Sequence, residues 1–399
     1  MPVSLALLGS GLFASIAYLP AIFGNSKDVI LHTVWSRSQS SAESLLEKCK
    51  ELGISPLPTI QFGDTGLNIL LKDKSIDGVM LVLPITAQPP LVIKCLEAGK
   101  HVLCEKPLHK DVKHAKELVE EYEKRFKPKG LIFRTAENWA HEPVLHWAAS
   151  KLREPSLGPV LYWQLGLSNV VKPGSHWHAT SWRTIPDYQG GFILDGGVHQ
   201  GALLRIVLPI PPSTILSHAT LHRAHLPPHD TFVAIAAPPI SSHTPAHGYE
   251  KVSSDLNKDL PHKVEDIPAE IGTSAPFGTI LMTWAQPDLP DSAPAGMNAL
   301  EIVCLHGVVS ISWPDKNMKA VITAANGSGV VNEEKEEKQS GVKVEIGMYA
   351  RAIEAVKEGK ELEEPNWADP RDCLWDLAWV EACLQSGGKS VNIEGLIKG

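Results

Sequence analysis

The sequence has few cysteines, and none of them is spaced as a pair. Six cysteines among 399 residues form no C-x-x-C motif, and their separations fit neither a zinc site nor a dense set of disulfides. We therefore expect reduced thiols and a cytoplasmic protein. The six are Cys49, Cys95, Cys104, Cys304, Cys373 and Cys383.

Two further absences exclude two classes of function. The sequence has no basic block and a formal net charge of −8, so it lacks the positive surface that nucleic-acid binding requires. No stretch reaches the roughly 20 continuous apolar residues of a membrane helix. Residues 1–23 are uncharged, but a signal peptide begins with a basic region, and the first lysine is Lys27. We expect partners that are neither membrane nor nucleic acid.

Apolar runs alternate with helical patterns in the first third of the chain. This alternation is typical of an α/β fold, and it predicts a Rossmann-type, doubly wound parallel sheet in residues 1–138. A chain of 399 residues has room for a second domain, which we place at residues 139–399. The predicted strands of the first domain are Val3 to Leu8, Val29 to Trp35, Gly78 to Leu83, His101 to Cys104 and Leu131 to Thr135.

After Trp139 the predicted strands are separated by turns instead of helices, a pattern that predicts a largely antiparallel sheet. Residues 238–276 are rich in proline, serine, histidine and charge, and they predict a long loop inserted into this sheet. Residues 326–340 predict a polar linker or hairpin tip. Late helices are expected at Met348 to Val356 and Cys373 to Leu384.

A glycine-rich turn of the form G-x-G-x-x-A follows the first strand and opens the first helix. In dinucleotide sites the first glycine permits the tight turn and the second lets pyrophosphate approach the backbone. The helix N-terminus adds free N–H groups and partial positive charge. The alternative is a turn that binds nothing. We predict a dinucleotide site formed by Gly9, Ser10, Gly11, Leu12 and Phe13.

The end of the second strand indicates which dinucleotide binds. An acidic residue there would hold the ribose 2′-hydroxyl of NAD, but the sequence reads Ser36-Arg37-Ser38. A guanidinium with two hydroxyls can hold a 2′-phosphate. We therefore predict NADP as the cofactor, with a solvated surface arginine as the alternative.

Two later stretches contain candidate proton-transfer groups. Lys106, after Glu105 at the end of a predicted strand, lies where such sheets bind ligands. A lysine buried there could exchange a proton, although it could also be a surface charge paired with Glu105. Asp195 and His199 are four residues apart, so on a helix they would share one face. A carboxylate beside an imidazole suits proton transfer, whereas a capped helix with a core histidine is the alternative.

Taken together, these motifs resemble those of the Gfo/Idh/MocA oxidoreductases, which include glucose–fructose oxidoreductase and inositol dehydrogenase. The resemblance covers nearly the whole chain except residues 238–276. A fungal NADP-dependent branch is the most similar. The stretches that carry this likeness are Ala136-Glu137-Asn138-Trp139, Ser181-Trp182-Arg183 and Asp195-Gly196-Gly197-Val198-His199-Gln200.

The resemblance implies a Rossmann domain and a C-terminal α+β domain with an open, mostly antiparallel sheet, whose outer face forms a homodimer. It places Lys106 by the nicotinamide, and Asp195 and His199 in the substrate pocket. Many members carry an acidic residue shortly after this histidine, whereas here Gln200 follows. The remaining residues expected near cofactor or substrate are Leu83, Pro84, Glu105, Asn138, Trp182 and Arg183.

These observations predict an NADP-dependent oxidoreductase acting on a small hydroxyl or carbonyl compound such as a sugar or polyol. Lys106 or His199 would transfer the proton, with Asp195 orienting or tuning the other. One alternative is a non-catalytic NADP-binding sensor of the same fold. Another is a metal enzyme, but we expect no metal, because the abundant histidines do not share one face. These histidines are His218, His222, His225 and His229, or His176 and His178.

Overall fold

The computed structural model describes residues 2–180, 183, 188, 191–245, 273–290, 296–314, 316–361 and 365–399. Within these ranges, no helix is both long and apolar enough to cross a membrane. Two large sheets organise the described chain, one of six strands and one of nine.

The first sheet consists of six parallel strands. They are β1 (Val3–Leu8), β2 (Val29–Ser36), β3 (Thr59–Phe62), β4 (Gly78–Leu81), β5 (His101–Glu105) and β6 (Phe133–Ala136). Their order is β3-β2-β1-β4-β5-β6. Every residue of β4 and β5 is buried, as expected for parallel strands covered on both faces. The chain order reverses between β1 and β4, and ligands bind at such a switch point in open α/β sheets.

Helices cover both faces of this sheet. Side chains of β1 alternate between two cores: Ala6 and Leu8 face one, and Leu5 and Leu7 face the other. The helices of this half are α1 (Leu19–Gly24), α2 (Gln39–Glu51), α3 (Gly63–Lys72), α4 (Gln88–Glu97) and α5 (Val112–Arg125). Helices α3, α4 and α5 contribute to the first core, and α1 and α2 contribute to the second.

The second sheet is mostly antiparallel. Its strands, with one separate two-stranded pair (β10 and β11), are β7 (Val160–Ser168), β8 (Thr214–Thr220), β9 (Thr231–Ala237), β10 (Thr244–Pro245), β11 (Thr273–Ser274), β12 (Phe277–Thr283), β13 (Ala299–Cys304), β14 (Gly307–Ser312), β15 (Asn317–Ala324), β16 (Glu333–Lys338) and β17 (Ser390–Asn392). The nine strands run β16-β15-β14-β13-β7-β12-β9-β8-β17, and only β7 and β12 pair in parallel. The predicted fold class is therefore confirmed.

The described residues after β6 form five further α-helices. They are α6 (Pro143–Leu152), α7 (Gly191–Val207), α8 (Gly341–Lys357), α9 (Pro370–Gln385) and α10 (Ile393–Lys398). Helices α7 and α9 pack against each other and share the core of the second sheet. Helix α8 instead returns to the first sheet, where Ile346 and Tyr349 pack beside β1 and α1.

The structure differs from two of the sequence-based expectations. The predicted linker or hairpin tip at 326–340 is part of a hairpin, and its residues also include the edge strand β16, whose charged side chains are largely exposed and pair across the strands, as Lys319 does with Glu334 at 3.0 Å. Helix α8 begins at Gly341, well before the predicted Met348, because the Glu142 carboxylate accepts the Gly341 N–H at 2.8 Å. Within the predicted insertion, residues 246–272 lie outside the described ranges.

Candidate active site

The two glycines of the glycine-rich turn have different surroundings: the protein backbone lies close to Gly9, and open space lies in front of Gly11. Gly9 has a φ of 117°, and a Cβ there would lie 2.1 Å from the carbonyl oxygen of Val82. Its N–H donates to the Trp35 carbonyl at 2.9 Å, which ties the turn to the end of β2. A Cβ at Gly11 would meet nothing within 4 Å. The protein itself therefore requires glycine at Gly9, while Gly11 leaves free space in front of the helix.

The residues after β2 form a polar rim beside this turn. Ser10 and Ser36 are joined by a 2.8 Å hydrogen bond between their hydroxyls, so the two segments meet. The Ser38 hydroxyl accepts the Ser41 N–H and thereby caps α2. Arg37 is exposed, and no described residue forms an ion pair with it. A cation and a helix N-terminus thus lie together at this rim, a combination that binds anions.

Three further predicted cofactor residues lie at the carboxyl ends of strands. Leu83 follows β4 and comes within 3.3 Å of the position that a Cβ on Gly9 would take. Pro84 is the next residue and starts a short turn over Ile85–Ala87. Asn138 follows β6 and is half-buried at the start of another turn. Trp182 lies outside the described residues.

Lys106, Asp195 and Arg183 form a nearly buried ion cluster. The Lys106 ammonium donates to the Asp195 main-chain oxygen at 2.7 Å and to its Oδ1 at 3.0 Å. The Arg183 Nε donates to Asp195 Oδ2 at 2.8 Å. Burial alone would raise the pKa of Asp195, but the two cations outweigh it and hold that pKa at about 2. Asp195 is therefore a fixed anion that orients both cations.

His199 lies one helical turn after Asp195 on α7, and it has a different carboxylate partner. Its Nδ1 is 2.6 Å from Glu137 Oε1, and Glu137 is only 1% exposed. Burial would raise the pKa of Glu137, but His199 and Lys106 lower it below its usual value. The Trp139 ring stacks on the imidazole with centroids 5.5 Å apart. The structure thus fixes both the direction and the partner of this ring.

Glu137 was not among the predicted site residues. It directly follows β6, just as Lys106 directly follows β5, and β5 and β6 are paired. The carboxyl ends of neighbouring parallel strands meet at one edge, so this position could have been noted from the sequence. Its partner His199 could not, since 62 residues separate the two.

Close packing explains the glycines around Asp195. A Cβ at Gly196 would lie 2.6 Å from the Trp284 ring, and one at Gly201 would lie 3.0 Å from the Asp376 backbone. Helix α7 therefore approaches β12 and α9 more closely than side chains would allow. The close packing of α7 places Asp195 and His199 at the carboxyl edge of the first sheet, beside Lys106 and Glu137.

One group of side chains has the composition of a metal site. Ligand atoms of His109, Asp111 and His114 lie within 4.8 Å of one another at the start of α5. Their hydrogen bonds serve a helix cap instead: Asp111 Oδ1 accepts the His114 N–H at 2.9 Å, and His109 Nδ1 accepts the Lys110 N–H at 2.9 Å. The adjacent cavity, of about 320 Å3, is lined by two lysines, Lys110 and Lys113, as well as by the carboxylates of Asp111 and Glu381. We assign these residues to the cap.

Comparisons with known proteins agree with the fold. The Gfo/Idh/MocA family model, described as an oxidoreductase family with an NAD-binding Rossmann fold, matches residues 3–128. The Dehydrogenase FPY6 of Fusarium mangiferae is 29% identical over 392 residues, which is 96% of each chain. A dTDP-3,4-didehydro-2,6-dideoxy-alpha-D-glucose 3-reductase of Streptomyces violaceoruber is 32% identical over 147 residues, 36% of this chain and 39% of that one.

Solved structures share the whole fold. An oxidoreductase of Thermotoga maritima superposes with a TM-score of 0.74 at 24% identity, over 99% of this chain and 100% of that one. KijD10, a 3-ketoreductase of Actinomadura kijaniata in complex with NADP and TDP-benzene, has a TM-score of 0.66 at 17% identity, over 98% of each chain.

The six-stranded parallel sheet with its glycine-rich turn is an NAD(P)-binding Rossmann fold, and the ion cluster lies at its carboxyl edge. The match of residues 3–128 to the Gfo/Idh/MocA family model agrees with the resemblance that the sequence motifs carry.

Proposed function

We propose that the protein is an NADP-dependent oxidoreductase that transfers hydride between nicotinamide and a small hydroxyl or carbonyl compound, such as a sugar or polyol. The observation that carries this proposal is the convergence of Lys106, Asp195, His199 and Glu137 at the carboxyl edge of the first sheet. The sugar-like substrate class is supported by the Streptomyces relative, whose name describes a sugar reductase. A pure dinucleotide sensor has no need for such a proton-transfer group.

Two features of the turn and its rim favour a bound dinucleotide. The open space in front of Gly11 leaves the α-helical N–H groups accessible to a pyrophosphate. At the rim, Arg37 and the capped start of α2 favour a 2′-phosphate, and no carboxylate stands at the end of β2 to bind a bare ribose hydroxyl. These features support NADP over NAD, although the family as a whole is described by NAD binding.

The bound nicotinamide would supply hydride chemistry, and the protein supplies position, charge and a proton. We assign the proton to His199. Its Nδ1 is occupied by Glu137, so Nε2 remains to take the proton of a substrate hydroxyl or to return it to a forming alkoxide. Glu137 stabilises the imidazolium that forms when the proton is taken.

Lys106 acts mainly through its charge in this assignment. Asp195 holds its ammonium by two hydrogen bonds, which leaves one N–H for the substrate oxygen. A fixed cation at that point stabilises the negative charge that develops on the oxygen. Arg183 also donates a hydrogen bond to Asp195. Because the single negative charge of this carboxylate is divided between two cations, it does not fully neutralise Lys106.

The test is a screen of sugars, polyols and their keto forms with NADPH, NADH and the oxidised forms, followed by the absorbance of reduced nicotinamide. We expect turnover with NADP(H), and tighter binding of NADPH than of NADH by calorimetry. Turnover with NAD(H) alone would contradict the cofactor assignment. Tight NADPH binding without hydride transfer to any compound would favour the sensor instead.

We further propose that the protein is a cytoplasmic homodimer formed through the second sheet. The outer face of this sheet exposes large apolar side chains whose inward-pointing neighbours are buried. In β9, Val233 and Ile235 are 56% and 54% exposed, and Leu281 of β12 pairs with Val233. Light scattering should give twice the chain mass, and Ile235→Lys should give monomers that still bind NADPH. A wild-type monomer would refute this arrangement.

A further inference from the structure

Tyr18 connects the glycine-rich turn to the strand that ends at Lys106. It is the last residue of a π-helical stretch, Ala14–Tyr18, that directly follows the turn. Its side chain is fully buried, and its hydroxyl donates a 2.7 Å hydrogen bond to Glu105 Oε1. Because Glu105 precedes Lys106 in the chain, one buried contact joins the two ends of the site.

The π-helical stretch is itself an unusual feature. The Leu19 N–H bonds to the Ala14 carbonyl, five residues back instead of four. Such turns are rare, and they occur frequently at functional sites. Phe13, the last residue of the predicted dinucleotide set, packs edge-on against Tyr18 with ring centroids 5.9 Å apart. Contact therefore continues from the turn through Phe13 to Tyr18.

Glu105 is also held through its main chain. Gln88 Nε2 donates to the Glu105 carbonyl at 3.0 Å, and the Cys104 thiol lies 3.4 Å from Gln88 Oε1. Glu105 is the last residue of β5, where it pairs with Ala136. Its backbone and its carboxylate are thus both fixed, and a change at the carboxylate acts directly beside Lys106.

The charge of Glu105 is finely balanced. Burial raises its pKa, Lys106 and the Tyr18 hydroxyl lower it, and the anions Glu137 and Asp195 raise it, with a net pKa of about 7. The Tyr18 hydrogen bond is therefore one of the few contacts that stabilise the ionised form. Burial, together with Glu105, also raises the pKa of Tyr18 well above its usual range, so its hydroxyl remains a donor.

A second buried carboxyl faces this pair from α8. Glu345 is 1% exposed, and neither of its oxygens has a hydrogen-bond partner among the described residues. Burial raises its pKa well above the usual range, with Glu105, Glu137 and Glu142 adding to the shift. Glu345 therefore favours its neutral form, whereas Glu105, with a pKa of about 7, is the carboxyl of this pair that titrates near neutral pH.

We propose that Tyr18 and Glu105 form a buried positioning pair that couples the glycine-rich turn to Lys106. The inference rests on the proposed function, since Lys106 needs positioning only if it serves hydride transfer. Tyr18 acts through Glu105, whose negative charge beside Lys106 is maintained by the hydroxyl. The contacts of Phe13 with Tyr18 and of Tyr18 with Glu105 couple dinucleotide binding at the turn to the charge of Glu105.

The test replaces Tyr18 by Phe, with Tyr349→Phe as the matched control. Tyr349 is fully buried in the same core, but its hydroxyl donates to the Val79 main-chain oxygen at 3.3 Å instead of to a carboxylate. Thermal unfolding of both variants and of wild type would be followed between about pH 5 and about pH 9.

The sign of the expected effect follows from proton linkage. A carboxyl whose pKa rises from 4.5 to about 7 on folding makes the native state less stable as pH rises through that interval. Without the Tyr18 hydroxyl the pKa of Glu105 rises further, so the native state of the variant goes on losing stability up to a higher pH. The stability deficit of Tyr18→Phe should therefore grow with pH, while that of Tyr349→Phe should stay constant.

Turnover supplies the second readout. We expect Tyr18→Phe to lower kcat about tenfold with little change in KM, and to shift the acid limb of the pH profile upward. Glu105→Gln keeps an acceptor for Tyr18 but cannot ionise, so it should lower kcat and remove the part of that limb that Glu105 contributes, leaving the part due to His199. This variant also covers the case in which Tyr18→Phe does not fold.

The two failures can be told apart. Normal wild-type turnover, with pH profiles unchanged in Tyr18→Phe and Glu105→Gln, would overturn the inference alone. A Tyr18→Phe deficit parallel to that of Tyr349→Phe at every pH would show that the hydroxyl has a structural role only. Absence of turnover in wild type would overturn the proposed function, and with it the catalytic role of the pair.

Discussion

The two ends of the site differ in how the chain builds them. The dinucleotide end is local: Gly9, Gly11 and Arg37 follow two adjacent strands, and part of it is open to solvent. The acid–base end is assembled from distant segments, and its groups are mostly buried and paired, as His199 is with Glu137. A local, open site can be altered without disturbing the fold, whereas a buried, paired site depends on every partner.

The largest effect should come from the acid–base end. Lys106→Met removes the cation at the reacting oxygen while keeping the length of the side chain, and we expect kcat to fall about a thousandfold. NADPH binding should remain within a few-fold of wild type, as measured by calorimetry. Lys113→Met, an exposed lysine of α5, is the control. Undiminished turnover of the Lys106 variant would contradict the assignment of catalysis to the acid–base end of the site.

Loss of the His199 partner should rank second. Glu137→Gln keeps the shape of the side chain but removes the charge that stabilises the imidazolium, so kcat should fall about thirtyfold. Glu142→Gln is the matched control, because Glu142 is buried but caps α8 instead. We expect this control to lose stability and to keep kcat. An equal loss of kcat in both variants would assign Glu137 to structure.

Substitutions of the two glycines of the turn should distinguish a glycine needed for folding from a glycine needed for NADPH binding. Gly9→Ala forces a Cβ against Val82 at a φ of 117°, and it should destabilise the fold by about 3 kcal/mol. Gly11→Ala should leave the unfolding free energy nearly unchanged, because its Cβ meets no atom within 4 Å, yet it should weaken NADPH binding. Unimpaired NADPH binding by Gly11→Ala would place the pyrophosphate elsewhere.

The smallest effect should be seen at the exposed rim. Arg37→Ala removes one charge-assisted contact to a 2′-phosphate, so NADPH should bind about tenfold more weakly while NADH binding stays the same. Lys50→Ala, at the other end of α2, should change neither affinity. Equal losses for NADPH and NADH would show that Arg37 does not read the 2′-phosphate. Kd values from calorimetry decide between these outcomes.

The sequence by itself determined the parts of this protein that depend on short-range patterns. The turn at Gly9, the parallel strands beyond it and the spacing of Asp195 and His199 are all set by neighbours a few residues apart. Their backbone geometry and periodicity predict the local structure, although the sequence alone left open whether the turn binds a ligand and whether His199 is a core residue. The predicted Lys106 position follows from the same reasoning, because it is the first residue after a buried strand.

Only the tertiary structure decided which charges meet. Glu137 reaches His199 across 62 residues, Arg183 joins Lys106 on Asp195, and Tyr18 reaches Glu105 across 87. None of these pairs has a sequence signal, since each depends on strand order and on how deeply α7 packs. Burial then sets the charge of Glu105, because desolvation and neighbouring ions depend on the folded surroundings and not on residue type.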